Sequence, residues 1–288
     1  FDINFFSEFT KKLFLIPMSI CDYLEKLKDM QKNFLIFIEN QDNFEENYQN
    51  LLLKFDEKKI KDDQHDFKIF LYLLVKVANN HKRDSTFFER IEKILINFKD
   101  EMQKYFSNSE LFNIFKSNKR ILLFLIHEKI IFVDDRFVKI ITEEKYKIKK
   151  YPQFFSKEIK TIIEHKIANN KSNSYIQYDK KDDEEMLNEI SELPENFEEE
   201  RQKGENDEYI CKCIQKDWIE AFITHINKTK CSLNSTINQS IFETNSFLLH
   251  QFSLSNEISL IEYAAFFGSV QIFKYLYANN VELTSSLW

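Results

Sequence analysis

The stretch SLIEYAAFFGSVQIFKYLYANNV, residues 259–281, decides how the C-terminal part of this chain folds. It is apolar and spaced like a helix, yet Gly268 interrupts it, and the chain of 288 residues contains only two glycines. Glycine readily adopts the positive φ values that tight turns need and that most other residues avoid. We therefore expect two short helices joined by a tight turn at Gly268, rather than one continuous helix.

Two further parts of the chain repeat this arrangement of short apolar segments around a polar break. Residues 109–131 align with the stretch when Ser117 takes the position of Gly268, and residues 210–229 align when Asp217 takes it. The matching apolar residues are Ile121, Leu122, Leu125, Ile126 and Ile130 in one copy, and Ala221, Phe222 and Ile226 in the other. A helix pair of this size cannot bury its own apolar face, so recurring pairs are typical of stacked repeat proteins.

The stretch resembles the ankyrin repeat, whose pattern T-P-L-H-x-A-A-x-x-G leads into a second helix. The matching residues are Ser259 for the threonine, Ile261 for the leucine, Ala264 and Ala265 for the alanines, Gly268 for the turn, Leu276 and Tyr277 for the leucine pair, and Asn280 for the last glycine. Serine is a good helix N-cap, small alanines let helices approach closely, and asparagine tolerates the left-handed conformation. The resemblance implies ankyrin-like helix-turn-helix repeats over residues 207–288.

The match to the ankyrin repeat has gaps. Leu260 replaces the proline and Glu262 replaces the histidine that usually ties the first turn together, so we expect a weaker turn. The copy around Asp217 lacks the glycine and the alanine pair. Residues 285–287 look like the start of another repeat, which predicts an array cut at its C-terminal end. The arrangement also resembles large ankyrin families of some protists, whose repeats follow a helical N-terminal region.

The remaining chain predicts an all-α protein, because apolar residues recur at helical spacing nearly throughout. We expect an N-terminal helical domain over residues 18–168, folded as an antiparallel bundle or a solenoid, with the helix pair 109–131 inside it. Residues 1–17 form a leader that is either not native or a short signal peptide. No uncharged apolar run approaches the ~20 residues that span a bilayer.

Residues 169–206 differ in composition and are predicted to be an acidic, partly disordered linker. Residues 179–208 contain fourteen Asp or Glu and four Lys or Arg, whereas the net charge of the whole chain is −7. Such a segment is either a solubilising spacer or an attractive surface for a basic partner. The positive charges elsewhere are dispersed, so nucleic-acid binding is not expected.

The sequence lacks the motifs of common enzyme sites. Phosphate-binding loops, dinucleotide turns and nucleophile elbows each need several glycines, and this chain has only Gly204 and Gly268. The four cysteines, Cys21, Cys211, Cys213 and Cys231, do not show the spacing of a metal site. We therefore expect no cofactor, no metal, and free thiols in a reducing cytoplasm.

These observations predict a non-catalytic scaffold or adaptor for protein–protein interactions, with a cryptic cysteine-dependent enzyme, or a regulatory subunit of one, as the alternative. The expected partner surface is the long connection between the last two helix pairs. Its polar candidates are Asn234, Thr236, Asn238, Glu243 and Asn245. Residues 241–250 are read either as apolar anchors for the partner or as a short helix packed on the stack. The partner's identity and the oligomeric state stay open.

Overall fold

The computed structural model describes residues 20–40, 42–80, 86–143, 146, 150–170, 193–245, 248 and 258–283. Within these residues it has fifteen helices, and 69% of the positions are helical against 2% in strands. The predicted all-α class is therefore confirmed. The predicted leader, most of the predicted linker and the predicted start of a further repeat at residues 285–287 lie outside the described residues. No helix in the described part of the chain is long and apolar enough to cross a membrane.

The chain forms two compact units, Phe1–Val77 and Ala78–Trp288. This division differs from the predicted boundaries at residues 168 and 206. The reason is that the described part of the predicted linker is packed against helices from earlier in the chain, as set out below. The predicted N-terminal helical domain is thereby shared between the two units.

The first unit is built from amphipathic helices whose aromatic residues meet in its core. The helices are α1 (Ile20–Glu39), α2 (Phe44–Glu57) and α3 (Gln64–Asn80), the last of which spans the boundary between the units. Phe37 of α1 contacts Tyr48 of α2, with 5.8 Å between ring centroids. Phe55 meets Phe70 edge to face at 4.7 Å. Aromatic burial of this kind is the main apolar contribution to the stability of the unit.

Seven helices occupy the first half of the second unit: α4 (Phe87–Asn97), α5 (Lys99–Tyr105), α6 (Asn108–Phe115), α7 (Lys119–His127), α8 (Asp135–Ile141), α9 (Tyr151–Phe154) and α10 (Ser156–Asn170). Helix α6 begins at a capping box, in which the Ser107 side chain and the Glu110 side chain satisfy each other's backbone N–H groups. Helices α6 and α7 pack against each other. Phe112 of α6 meets Phe137 of α8 edge to face, so this pair is joined to the helices that follow.

Two helix pairs near the C-terminus form what we call the helix stack. It consists of α12 (Tyr209–Gln215), α13 (Ile219–Thr229), α14 (Leu260–Phe267) and α15 (Val270–Ala278), with the short antiparallel strands β1 (Thr236–Ile237) and β2 (Ile258–Ser259). The first helices of the pairs pack on each other, as do the second helices. One continuous apolar core runs through all four helices.

The connection within each pair of the helix stack is short and uses a left-handed residue. Gly268 has a φ of 66° and Asp217 a φ of 51°. In both turns the second N–H after the helix returns to the helix, from Ser269 to the Ala264 carbonyl and from Trp218 to the Cys213 carbonyl, each at 2.9 Å. The turn at Ser117 differs, since its N-cap residue Asn118 is extended and caps α7 with its side chain.

Helix α11 (Phe197–Lys203) lies in the segment predicted to be a linker, and it is folded into the second unit. Its Arg201 is almost completely buried and donates to the Phe154 carbonyl at 3.0 Å. The same guanidinium pairs with Glu158 at 2.7 Å and with Glu198 at 2.9 Å. The acidic composition therefore misled the prediction here, because part of the charge serves buried ion pairs rather than solvation.

Residues 241–245, predicted as apolar anchors or a short helix, form a non-helical segment that crosses back to the earlier helices. The fully buried ammonium of Lys119 donates to the Ile241 carbonyl at 2.7 Å. The Thr244 hydroxyl donates to the Gly204 carbonyl at 2.8 Å, and the Thr244 N–H reaches the same oxygen at 3.3 Å. The amide of Asn245 donates to the Asn79 carbonyl.

Buried polar groups thus gather where these segments meet, and we call this region the polar junction. It comprises Asn79, Asn118, Lys119, Arg120, Arg201, Thr244, Asn245 and the backbone of Gly204. Within it, Asn118 donates to the Asn79 side chain at 2.9 Å, and Arg120 pairs with Glu92 at 2.5 Å. Burial raises the pKa of Glu92, although the Arg120 guanidinium opposes this shift.

Candidate functional site

An open groove of about 380 Å³ lies on the helix stack, where the ends of α12 and α13 face β1. Its buried floor is formed by Ile210 and Leu260. The walls are polar or aromatic: Glu208, Tyr209, His225, Thr229, Cys231, Thr236 and Asn238. An apolar floor with a few converging polar groups is the usual composition of a binding site, so we take this groove as the candidate functional site.

Hydrogen bonds hold one wall of the groove in place. The Asn238 amide donates to the Glu208 carboxylate at 2.8 Å, and the buried Asn206 amide donates to the Asn238 carbonyl at 3.0 Å. The Asn206 side chain also accepts the Glu208 N–H at 3.0 Å. These contacts fix the strand side of the groove to the start of α12. A wall that is already ordered costs little conformational entropy when a ligand binds.

The opposite wall combines two rings and a thiol. Tyr209 is 55% exposed, and its ring lies 5.2 Å from the His225 imidazole, centroid to centroid. Cys231 is partly exposed and contacts the Ser235 hydroxyl, with 3.3 Å between sulfur and oxygen. An exposed aromatic ring beside hydrogen-bonding groups is typical of protein interaction surfaces.

The five residues predicted to bind a partner divide into two groups. Thr236 and Asn238 are exposed and line the groove, and Asn234 is exposed in the turn before β1. Glu243 and Asn245 are instead buried in or beside the polar junction, with exposed fractions of 3% and 1%. A partner cannot reach these two side chains in this conformation, because the segment that carries them folds back instead of projecting outward.

The residues that carried the repeat resemblance have structural positions in the helix stack. Ser259 caps α14 in a capping box with Glu262, so Glu262 ties the first turn rather than weakening it. Ile261, Ala264 and Leu276 are fully buried, whereas Ala265 is exposed. Asn280 follows α15 with a φ of 58°, in the left-handed region like Gly268.

Asp217 has a role that its alignment with Gly268 did not predict. Its carboxylate accepts the N–H groups of Gln271 and Ile272 at 3.1 and 3.0 Å, and so caps the second helix of the neighbouring pair. In return, the Ser269 hydroxyl donates to the Ile214 carbonyl of the first pair. The two turns therefore fasten the pairs to each other, which holds the groove on a rigid support.

The cysteines of the stack differ in accessibility. Burial, with a contribution from Glu208, raises the pKa of the Cys211 thiol, and burial also raises that of Cys213. Both thiols are therefore kept protonated, which makes them poor nucleophiles and poor metal ligands. Among the described residues, no cluster of three or more His, Cys, Asp or Glu side chains is arranged to hold a metal ion.

Family models, curated proteins and solved structures all fail to match this chain. The groove therefore has to be interpreted from its own chemistry. Its partly exposed thiol, carboxylate and aromatic ring are all polar groups that a partner could contact.

Sequence reasoning missed most of the groove, although it placed two residues there. Glu208 and Tyr209 were assigned to the end of a linker and the start of a helix, and Thr229 and Cys231 to a loop start. The available signal was Tyr209, a large aromatic residue at the first position of a helix beside acidic residues. Pattern alone could not show that β1 folds back against that helix end.

Proposed function

We propose that this chain is a non-catalytic scaffold for protein–protein interactions, built on ankyrin-like helix pairs. The observation that carries the proposal is the open groove on the helix stack, with its apolar floor, ordered polar wall and exposed tyrosine. An open surface of this kind suits a segment of another protein better than a small metabolite, which usually occupies an enclosed cavity. Stacked helix pairs commonly present such surfaces.

A reducing, cytoplasmic location fits this proposal. Cys211, Cys213 and Cys231 are all free thiols, although Cys211 and Cys213 lie on one short helix and Cys231 follows the next. Proteins of oxidising compartments usually pair their cysteines. The proposed partner is a protein, and the carboxylate in the groove disfavours the phosphates of a nucleic acid.

Site-specific photo-cross-linking tests the proposed function. A photoreactive phenylalanine analogue replaces Thr236 in the groove, Thr224 on the same stack but outside the groove, or Lys58 in the first unit. In cells that express the full chain, we expect discrete adducts from position 236 and few from the other two. Equal capture from all three positions, or capture from position 58 alone, would contradict the proposed surface.

The second candidate function is a cysteine-dependent enzyme, because Cys231 and His225 line the same groove. A nucleophilic Cys231 would react with iodoacetamide at neutral pH much faster than a free cysteine. We expect instead an ordinary rate for Cys231, and almost no reaction of Cys211 and Cys213 before unfolding. A rate for Cys231 that exceeds that of free cysteine by about tenfold or more, and that His225→Asn abolishes, would favour the enzyme.

A further inference from the structure

The groove carries charge of one sign. Glu208 supplies its carboxylate, and none of the described residues that line the groove is Lys or Arg. Asp207, one residue earlier, adds a second carboxylate, which accepts the Ser240 hydroxyl at 2.7 Å. Because a positively charged group would gain from both carboxylates, the charge of the groove favours a cationic ligand.

The position of Tyr209 favours a planar cation over a compact one. Its half-exposed ring directly follows Glu208 in the chain and forms the rim of the same groove. A guanidinium can stack on an aromatic face while its N–H groups donate to a carboxylate, whereas an ammonium offers only a point charge. The side chains on the page therefore match arginine better than lysine.

The remaining lining groups suit the backbone around such a side chain. Thr229, Thr236 and Asn238 place hydroxyl and amide groups along the groove, and the apolar floor of Ile210 and Leu260 fits the aliphatic stem of an arginine. The volume accommodates one long side chain with the backbone on either side of it, but not a folded domain.

We propose that the groove binds an arginine side chain presented by an extended segment of a partner protein. This inference rests on the proposed function and adds the chemistry of the ligand. The guanidinium pairs with Glu208 and stacks on Tyr209, while Asn238 holds the carboxylate in position.

A randomised heptapeptide library displayed on phage, selected against the full chain, tests the inference. We expect enrichment of arginine at one position. Synthetic versions of the enriched peptides are then measured by fluorescence anisotropy. Changing that arginine to methionine should weaken binding by about tenfold or more, and changing it to lysine by less.

Variants of the chain locate the bound arginine. Glu208→Gln keeps an oxygen that can accept from Asn238, so the wall should remain ordered, yet affinity for the arginine peptide should fall about tenfold. Glu220→Gln, an exposed carboxylate of α13 outside the groove, is the matched control and should change nothing. The methionine peptide should bind the parent and the Glu208→Gln variant equally, which isolates the pair in a double-mutant cycle.

The outcomes separate this inference from the proposed function. If the enriched peptides lack arginine but Thr229→Arg, which places a cation in the groove, still abolishes their binding, the groove is an interaction site and the arginine inference is wrong. If arginine peptides bind the Glu208→Gln and Thr229→Arg variants as well as the parent, both are wrong for this groove. A selection that enriches no peptide contradicts the inference, while the cross-linking experiment still decides the function.

Discussion

The helix stack and the polar junction lie in the same unit but are held together by different interactions. In the helix stack, apolar side chains from four helices form one core, and polar groups act at turns and caps. In the polar junction, fully buried Lys119 and nearly buried Arg201 are compensated by carbonyls, carboxylates and aromatic rings. The stack therefore tolerates variation at its surface, where the groove lies, whereas the junction depends on each individual partner.

The largest expected difference concerns buried charge. Arg201→Met keeps a side chain against Phe154 and Phe197 but leaves Glu158 and Glu198 without the guanidinium, and should cost about 3–5 kcal/mol of unfolding free energy. Lys203→Met, two residues later, removes a half-exposed pair to Glu199 and should cost less than about 1 kcal/mol. Urea unfolding followed by circular dichroism measures both. Equal costs would mean that Arg201 is not buried as described.

The two glycines provide a closer comparison, because both have left-handed backbones with φ of 68° and 66°. A Cβ at Gly204 would meet the Thr244 hydroxyl oxygen at 3.0 Å and the Arg120 Cβ at 3.4 Å, whereas a Cβ at Gly268 meets nothing within 4 Å. Gly268→Ala should therefore cost only the backbone strain, about 1–2 kcal/mol. Gly204→Ala should cost about 1–3 kcal/mol more, because it also overpacks the junction.

Thermal unfolding of the two alanine variants under identical conditions gives the comparison. A larger loss for Gly268→Ala than for Gly204→Ala would contradict the view that the junction is closely packed and the stack turn is open.

The smallest of these effects tests how the stack is fastened. Asp217→Ala removes the cap that Asp217 provides for α15 and should destabilise the chain by about 1–2 kcal/mol. Asp217→Asn retains an acceptor and tolerates the positive φ, so it should cost clearly less. Amide hydrogen exchange at Gln271 and Ile272 reports the effect directly. Unchanged exchange in Asp217→Ala would show that the carboxylate does not cap the neighbouring pair.

The contrast between the two regions also explains what the sequence could predict. Apolar spacing and one glycine were sufficient to locate the helices and turns of the stack, because these features are local. The junction depends on pairs far apart in the chain, such as Asn245 with Asn79 and Lys119 with Ile241. No local pattern distinguishes a lysine that is fully buried from one that is exposed to solvent.

The groove lies between these cases. Thr236 and Asn238 were predicted to meet a partner because they are polar and lie in a long connection, and they do line the groove. Glu243 and Asn245 met the same criteria but are buried, since their partners come from Asn79 and from the earlier helices. Composition therefore identified the connection but not which of its side chains reach the surface.

The central claim is that the groove on the helix stack is the surface that meets a protein partner, and two threonines of α13 test it most directly. Thr224 and Thr229 are both exposed, and each hydroxyl donates to the carbonyl four residues earlier at 2.8 Å. Only Thr229 lines the groove. Replacing either with arginine therefore makes the same chemical change on the same helix.

The measurement is the yield of the position-236 photo-adduct in cells for Thr229→Arg and for Thr224→Arg, with equal expression and thermal midpoints as the control. We expect Thr229→Arg to reduce the yield by about tenfold or more, and Thr224→Arg to leave it unchanged. Equal yields from both variants, at parent level or equally reduced, would contradict the claim that partners bind in this groove.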